Sequence, residues 1–258
     1  MTDLQILKSG ESFTSEEFLN LFQANIPKMG FKTEGSERLF FAGLRYALDE
    51  TTPMPFVAFE IGTATGLTTK SIQSFIISWH NDMRILSPYQ TSLWKVISCD
   101  LPDGWSLNVD QLKKNLPDES YIDACPEGMP TATITAPNIE RYGMNRVSIF
   151  LLPSERVLAS DVVPHINFAF IDGCHCYQCV FKDFINVAKK LVQNGIIVFH
   201  DTGCSIQSPD NHSKHGKHMI YTRLAVEDII KVFGDGFELL ANLESDSNQN
   251  GMIIVRKR

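Results

Sequence analysis

The sequence predicts an α/β fold in which helices cover both faces of a mostly parallel, doubly wound sheet. Short apolar runs alternate with segments of helical periodicity along most of the chain. Runs such as FVAFEI at 56–61 and INFAFI at 166–171 are almost continuously apolar, which is typical of strands covered on both faces. Because strands and helices alternate, we expect right-handed crossovers and parallel strands.

Length and charge exclude several classes of partner. The chain has 258 residues and a formal net charge of −7. One α/β domain can take up this length and can bury a large core without disulfides. The acidic balance argues against nucleic acid, whose phosphates need clustered Lys and Arg, and no apolar run is long enough to cross a bilayer. We therefore expect neither nucleic acid nor a membrane as a partner.

The cysteines and the first residues indicate a reducing compartment. The six cysteines are few for the length and three of them are crowded together, which does not suit a disulfide framework. The opening MTDLQILKSGESF lacks the basic start and apolar core of a secretion signal. We expect a cytoplasmic protein.

The chain divides into a helical N-terminal extension at 1–50 and a sheet domain at 51–258. Thr14 and Glu17 fit a capping box at the start of a first helix, and a second helix is expected from Ser36 to Leu48. Within the sheet domain, residues 101–146 carry several prolines and no sustained period, so we interpret them as an irregular insertion.

The sheet domain should contain strands and helices in alternation, closed by two antiparallel strands. The strands are predicted at 56–61, 95–99, 147–152, 166–171, 196–200, 237–243 and 251–257. The main helices are predicted near 67–79, 155–160, 177–192 and 219–233. Asn194 and Gly195 should end the helix at 177–192 as a left-handed cap.

Polar residues follow the first two strands, at the sheet edge where ligands bind in such folds. In EIGTATG, 60–66, Glu60 ends the first strand and two glycines flank a tight turn into a helix whose free amides can hold an anionic group. Asp100 ends the second strand, where an acid commonly accepts hydrogen bonds from ribose hydroxyls. The alternatives are a turn that only connects strand to helix, and an ordinary turn aspartate.

A second polar group follows two later strands, in FIDGCHCY at 170–177 and FHDTG at 199–203. Asp172, His200 and Asp201 end adjacent strands and could hold Mg²⁺ or Mn²⁺, which would lower the pKa of a substrate hydroxyl. His175 lies one short turn beyond Asp172 and is a candidate general base. The alternative is that the two acids cap the following segments and the histidines make structural hydrogen bonds.

These motifs resemble a known family. EIGTATG resembles motif I of the class I S-adenosylmethionine-dependent methyltransferases. FIDGCHCY with GIIVFHDTG resembles the branch of small-molecule and sugar O-methyltransferases of the macrocin type, which is similar to the caffeoyl-CoA and catechol O-methyltransferases. The resemblance runs from about Phe56 to the C-terminus and is strongest over 56–69 and 166–203. It implies a seven-stranded, Rossmann-like sheet whose last strand is antiparallel.

The resemblance also implies roles for individual residues. The cofactor S-adenosylmethionine would contact Glu60, Gly62, Thr63, Gly66, Asp100 and Asp172. Asp172 and His175 would be catalytic, and the metal ligands would be Asp172, His200 and Asp201. His200 stands where relatives usually carry an acid or an amide. The acceptor would be a hydroxylated small molecule, and a homodimer is left open.

Two other functions compete with methyl transfer. The first is a catalytically inactive relative of the fold that serves as a binding or regulatory subunit, with 101–146 as its partner surface. The second is a NAD-linked oxidoreductase. It is disfavoured because Glu60 and Asp100 are about twice as far apart as the roughly 20 residues typical of dinucleotide folds.

Two further features of the sequence are a cluster of cysteines and a loop rich in histidine. Cys174, Cys176 and Cys179 together with His175 suggest zinc, but a closed structural site needs four ligands, usually from two separated pairs. Reduced, partly buried thiols are therefore favoured. The loop at 206–218 carries three histidines and leaves the ligand edge of the sheet, so we interpret it as a lid.

Overall fold

A large mixed sheet organises the part of the chain that the structure describes. The computed structural model describes residues 5–8, 11–13, 18, 20–21, 34–51, 55–63, 66–86, 94–101, 146–203, 209–210, 218–219, 221–243 and 251–258. The strands are β1 (5–8), β2 (11–13), β3 (56–61), β4 (94–99), β5 (147–150), β6 (166–171), β7 (191–200), β8 (209–210), β9 (218–219), β10 (237–243) and β11 (252–257). The helices are α1 (34–51), α2 (67–86), α3 (154–159), α4 (177–190) and α5 (222–233).

The strand order places side by side the four strands whose carboxyl ends carry the candidate site residues. The main sheet runs β1-β2-β10-β11-β7-β6-β3-β4-β5. The five strands from β7 to β5 are parallel, whereas β11 is antiparallel to β7 and β10 is antiparallel to β11. The seven strands from β10 to β5 confirm the predicted, mostly parallel sheet with an antiparallel closing pair, and β1 and β2 extend it to nine strands. Because β7, β6, β3 and β4 are neighbours, their carboxyl ends form one continuous edge.

The N-terminal extension contains a feature that the sequence did not predict. Besides the expected helix, which the structure gives as α1, the strands β1 and β2 form a hairpin that joins the sheet through pairing of β2 with β10. The predicted first helix is described only at Phe18, Asn20 and Leu21, and Thr14 and Glu17 lie outside the described residues. The extension is therefore continuous with the sheet rather than purely helical.

Helices cover both faces of the parallel strands. Alternate residues of β3 point to opposite sides: Phe56 and Ala58 pack with α1 and α2, whereas Val57, Phe59 and Ile61 pack with α3, α4 and α5. Strands that are buried on both faces must be apolar at successive positions. This explains why FVAFEI and INFAFI lack the polar alternation of a half-exposed strand.

The junction between α4 and β7 differs from the expectation. Asn194 and Gly195 were expected to end the helix, but α4 ends at Lys190 and the chain is already extended at Leu191. Leu191 is buried and pairs with Ile166, which draws it into the sheet. Asn194 has a φ of 60° and lies in an irregular first part of β7. The left-handed residue thus forms a bulge in the strand rather than a helix cap.

Several predicted segments lie largely outside the residues that the structure describes. Of the insertion at 101–146, the structure describes only its first and last residues. In the loop predicted to be a lid, it describes a pairing of β8 with β9. No helix in the described ranges is long and apolar enough to cross a membrane.

We predict that Phe40→Ala lowers the free energy of unfolding by about 3–5 kcal/mol, because the truncation leaves a cavity between α1 and the sheet. Phe40 is fully buried, and its ring lies edge-on to the rings of Phe168 and Phe170, with centroids 5.5 and 5.0 Å away. Denaturant unfolding measures the loss. Val232→Ala, at a side chain that is 64% exposed, is the control and should change stability by less than about 0.5 kcal/mol. Equal effects of the two changes would show that α1 is not part of the core.

Candidate active site at the strand ends

The turn after β3 is fixed by close backbone contacts with both neighbouring strands. The Gly62 amide donates to the carbonyl of Cys99 at 2.9 Å, and the Asp172 amide donates to the carbonyl of Ile61 at 2.9 Å. Gly62 has a φ of +96°, and a Cβ there would lie 2.1 Å from the Asp172 carbonyl oxygen. Only glycine fits this position. The turn of EIGTATG is therefore held directly against the chain at Asp172.

Glu60 is the buried acid of this turn. Its Oε2 accepts hydrogen bonds from Ser98, at 2.6 Å, and from Thr69, whereas Oε1 has no hydrogen-bond partner among the described residues. Burial raises the pKa of Glu60 to about 8, and the negative charges of Asp172 and Asp100 add to that rise. Glu60 is therefore protonated at neutral pH and joins β3, β4 and α2.

The other residues assigned to the cofactor occupy different environments. The hydroxyls of Thr63 and Ser98 are hydrogen-bonded to each other, so Thr63 faces the buried network of Glu60. Gly66 has a φ of 74° and precedes α2. Asp100 is partly exposed at the end of β4, and its Oδ1 accepts from the Leu101 amide at 2.7 Å. Only Asp100 of these side chains reaches the edge with part of its surface exposed.

The four residues of the second polar group converge as predicted from their strand ends. The Nδ1 atom of His200 lies 3.2 Å from Oδ1 of Asp172 and 3.2 Å from Oδ1 of Asp201. The Nε2 atom of His175 lies 3.5 Å from Oδ1 of Asp172 and 3.3 Å from Oδ2 of Asp201. Two carboxylates and two imidazoles therefore alternate around one point.

Charge pairing sets the protonation of this group. Burial alone would raise the pKa of Asp172, but the charge of His200 and hydrogen bonds from both histidines outweigh it and lower the pKa well below its usual range. Burial alone would lower the pKa of His200, but Asp172 and Asp201 outweigh it and raise the pKa to about 10. At neutral pH the group contains an anionic Asp172 paired with a cationic His200.

The backbone around this group is constrained on both sides. Asp201 has a φ of 54°, in the left-handed region that aspartate tolerates better than most residues. The next residue, Thr202, donates its amide to the Gly251 carbonyl at 3.1 Å. The amide of Tyr221, just before α5, donates to the carbonyl of His175 at 3.0 Å. The carboxylate of Asp201 and the ring of His175 are thus held from separate parts of the chain.

Sequence reasoning missed the residues that support Glu60. Ser98 is a polar residue inside the apolar run KVISC, and this interruption was the available signal. Thr69 lies in the first turn of α2 and donates a hydrogen bond back to Glu60, a contact that depends on how α2 packs against β3.

The three crowded cysteines lie beside the site, where they are partly exposed and not joined by disulfides. His175, which the sequence grouped with them, directs Nε2 to Asp172 and Asp201 instead. The loop residues His212 and His215 lie outside the described residues.

We predict that the stability of the protein falls as the pH rises from about 5 to 8, and that Glu60→Gln reduces this fall. The folded protein keeps the proton of Glu60 up to about pH 8, whereas the unfolded chain releases it near the ordinary glutamate pKa of 4.5. The unfolded state therefore binds fewer protons in this window, and Glu60 alone lowers the free energy of unfolding by at most about 1.4 kcal/mol per pH unit. The raised pKa of His200 adds to the fall in the upper part of the window and is unaffected by Glu60→Gln. Thermal unfolding across this range measures the slope.

The control for this prediction is Glu50→Gln, at an exposed position on α1. It should keep the wild-type slope. Parallel slopes for the wild type and Glu60→Gln would show that the Glu60 carboxyl is ionised in the folded protein.

Known proteins share this architecture. Residues 59–202, more than half of the chain, match a family model described as a methyltransferase domain. A search of the curated proteins finds no match. The solved structure of the O-methyltransferase NovP aligns with a TM-score of 0.51 and 12% identity, over 95% of this chain and 88% of that one. An O-methyltransferase from Bacillus cereus in complex with SAH aligns with a TM-score of 0.50 and 15% identity, over 94% and 90%.

The two structural likenesses confirm the Rossmann-like fold, and the family match confirms the resemblance that EIGTATG carries. The chain belongs to the methyltransferase-domain family.

Proposed function

We propose that the protein is an S-adenosylmethionine-dependent O-methyltransferase that acts on a hydroxyl of a small molecule with the assistance of a divalent cation. The observation that carries the proposal is the convergence of Asp172, His175, His200 and Asp201 beside the glycine turn of β3. This edge of a parallel sheet is where α/β folds bind ligands. The family match and the SAH complex of the Bacillus cereus relative support the choice of cofactor.

The turn fits this cofactor. Gly62 is partly exposed at this edge, and Glu60 keeps one buried oxygen without a hydrogen-bond partner among the described residues. We infer that Gly62, Thr63 and Gly66 shape the pocket and that Glu60 positions the turn from beneath. Asp100, on the neighbouring strand, would accept hydrogen bonds from the ribose hydroxyls.

The second polar group fits a divalent cation. One donor atom from each of Asp172, His200 and Asp201 lies within 4.8 Å of the others, and all three are partly or fully buried. Two carboxylates suit Mg²⁺ and Mn²⁺, and the imidazole of His200, which would release its proton on binding the ion, shifts the preference towards the softer transition ions. A bound cation would polarise the acceptor hydroxyl and lower its pKa.

The residues themselves suggest how the acceptor is deprotonated. When bound, S-adenosylmethionine supplies an electrophilic methyl group on a sulfonium. The Asp172 side chain is 26% exposed, more than those of His175, His200 and Asp201, so we infer that it meets the acceptor hydroxyl. His175, with Nε2 3.5 Å from Asp172, would take up the proton through that carboxylate.

The remaining contribution of the protein is alignment. The two imidazoles and two carboxylates hold each other in place, and the bond from Tyr221 to His175 fixes the loop from the side of α5. A positioned acceptor oxygen and a positioned electrophile account for a large part of such rate enhancements. No redox step is needed for this reaction.

We predict that the protein binds S-adenosylmethionine and S-adenosylhomocysteine but not NAD, as measured by calorimetry. Asp100→Asn should weaken cofactor binding by about ten- to a hundredfold, because a hydrogen bond to a charged acceptor contributes about 1.5–3 kcal/mol. The matched control is Asp161→Asn, at an exposed residue between α3 and β6. Tight binding of NAD would instead support an oxidoreductase.

We predict that Asp172→Asn and His175→Asn each lower kcat for transfer of a labelled methyl group to phenols or sugars by about 10²- to 10⁴-fold. His165→Asn is the control. His165 lies just before β6, the strand that Asp172 follows, and is therefore at the opposite edge of the sheet. Wild-type turnover in both variants would overturn the catalytic assignment. Cofactor binding without transfer to any acceptor would favour a binding or regulatory subunit.

The metal is tested in the same assay. If the cation assists the reaction, a chelator abolishes turnover and added Mn²⁺ or Mg²⁺ restores it in the wild type but not in His200→Ala. Turnover that is insensitive to chelation would show that the ion pair of His200 and Asp172 acts without a metal.

A further inference from the structure

A second cluster of potential ligands lies next to the candidate active site. One sulfur atom from each of Cys174, Cys176 and Cys179 lies within 4.8 Å of the other two. All three residues are partly exposed, so the cluster is accessible from solvent. It shares no donor atom with the group formed by Asp172, His200 and Asp201.

Local backbone geometry explains why these thiols meet. Cys176 is the N-cap of α4, with an extended backbone at φ −74° and ψ 146°. Cys179 is the third residue of that helix, and the side chains at the N-cap and at the third helical position face each other. Cys174 precedes the cap by two residues in non-helical chain, and its sulfur lies within 4.8 Å of the other two. The spacing Cys-x-Cys-x-x-Cys therefore directs three sulfur atoms to one point.

The electrostatics favour a cation at this point. Thiolates this close repel one another, so without a counter-charge the group keeps its protons. A metal ion offsets the repulsion and displaces the protons to solvent.

The ligand set decides the class of ion. Sulfur donors select thiophilic ions such as Zn²⁺ and Cu⁺ over Mg²⁺, Ca²⁺ and Mn²⁺. The nearest imidazole, that of His175, directs Nε2 towards the two carboxylates. Among the described residues, the cluster therefore contains three sulfur ligands and no fourth protein ligand. Closed structural zinc sites have four protein ligands, whereas sites with three keep one position open.

We propose that Cys174, Cys176 and Cys179 form an open, three-thiolate site for a thiophilic metal ion, separate from the carboxylate and imidazole group. Each thiol that binds loses its proton to solvent and donates a sulfur lone pair to the ion, so no oxidant or reductant is required. The proposal is independent of the methyltransferase function, because no step of that reaction uses these thiols.

The test uses the full-length, reduced protein under anaerobic conditions, with Co²⁺ as a spectroscopic probe. We expect one equivalent of Co²⁺ to produce an intense sulfur-to-cobalt charge-transfer absorption, which Zn²⁺ then removes by displacement. Cys176→Ser should weaken Co²⁺ binding at least tenfold and reduce the band. Two controls should keep it: Cys99→Ser, in the core outside the cluster, and Asp172→Asn, in the other ligand group. No charge-transfer band, or an undiminished band in Cys176→Ser, would overturn the proposal.

A second measurement covers the case in which Cys176→Ser does not fold. Alkylation of the wild type by iodoacetamide, followed by mass spectrometry, reports the reactivity of each cysteine separately. Zn²⁺ should slow alkylation of Cys174, Cys176 and Cys179 at least tenfold, and Mg²⁺ at the same concentration should not. Equal alkylation rates with and without Zn²⁺ would refute the site.

Discussion

The contact between the end of β3 and the end of β6 determines the geometry of the whole site. The Asp172 amide is bonded to Ile61, and Gly62 approaches the Asp172 carbonyl so closely that no side chain fits between them. The same glycine donates its own amide to β4 through Cys99. One short turn therefore fixes three strand ends relative to one another. The glycine turn after β3 and the loop after β6, which come from distant parts of the sequence, are held at one edge by this contact.

The two acids closest to this contact have opposite properties, and their surroundings explain the difference. Among the described residues, Glu60 forms hydrogen bonds with hydroxyls, and burial keeps it protonated, so it serves as a neutral hydrogen-bonding bridge between strands and helix. Asp172 meets two imidazoles, which hold it ionised despite its burial. Acids whose environments push their pKa values apart typically divide structural and chemical roles in active sites. Here the negative charge of Asp172 lies where the hydroxyl of an acceptor substrate could reach it.

Much of this arrangement could be predicted from sequence, because the strands are buried on both faces. Continuous apolar runs located 56–61 and 166–171 correctly, and the rule that ligands bind at carboxyl strand ends then selected Asp172 and His200. The hairpin of β1 and β2 was not predicted, because strands of four and three residues are too short to show a period in the sequence. The bulge at Asn194 was also not predicted, because it depends on the pairing of Leu191 with Ile166, a residue distant in sequence.

The loop between β6 and α4 carries two kinds of ligand that face different neighbours. Asp172 and His175 turn towards β7, where the other oxygen and nitrogen donors lie, whereas the cysteines on either side of His175 turn towards each other at the start of α4. Hard cations and thiophilic cations would therefore find different ligand sets a few residues apart, with little competition between them. A single imidazole shared by both sets would have coupled them. The orientation of His175 towards the carboxylates keeps them chemically distinct, so one loop can serve a reaction at one side and a metal ion at the other.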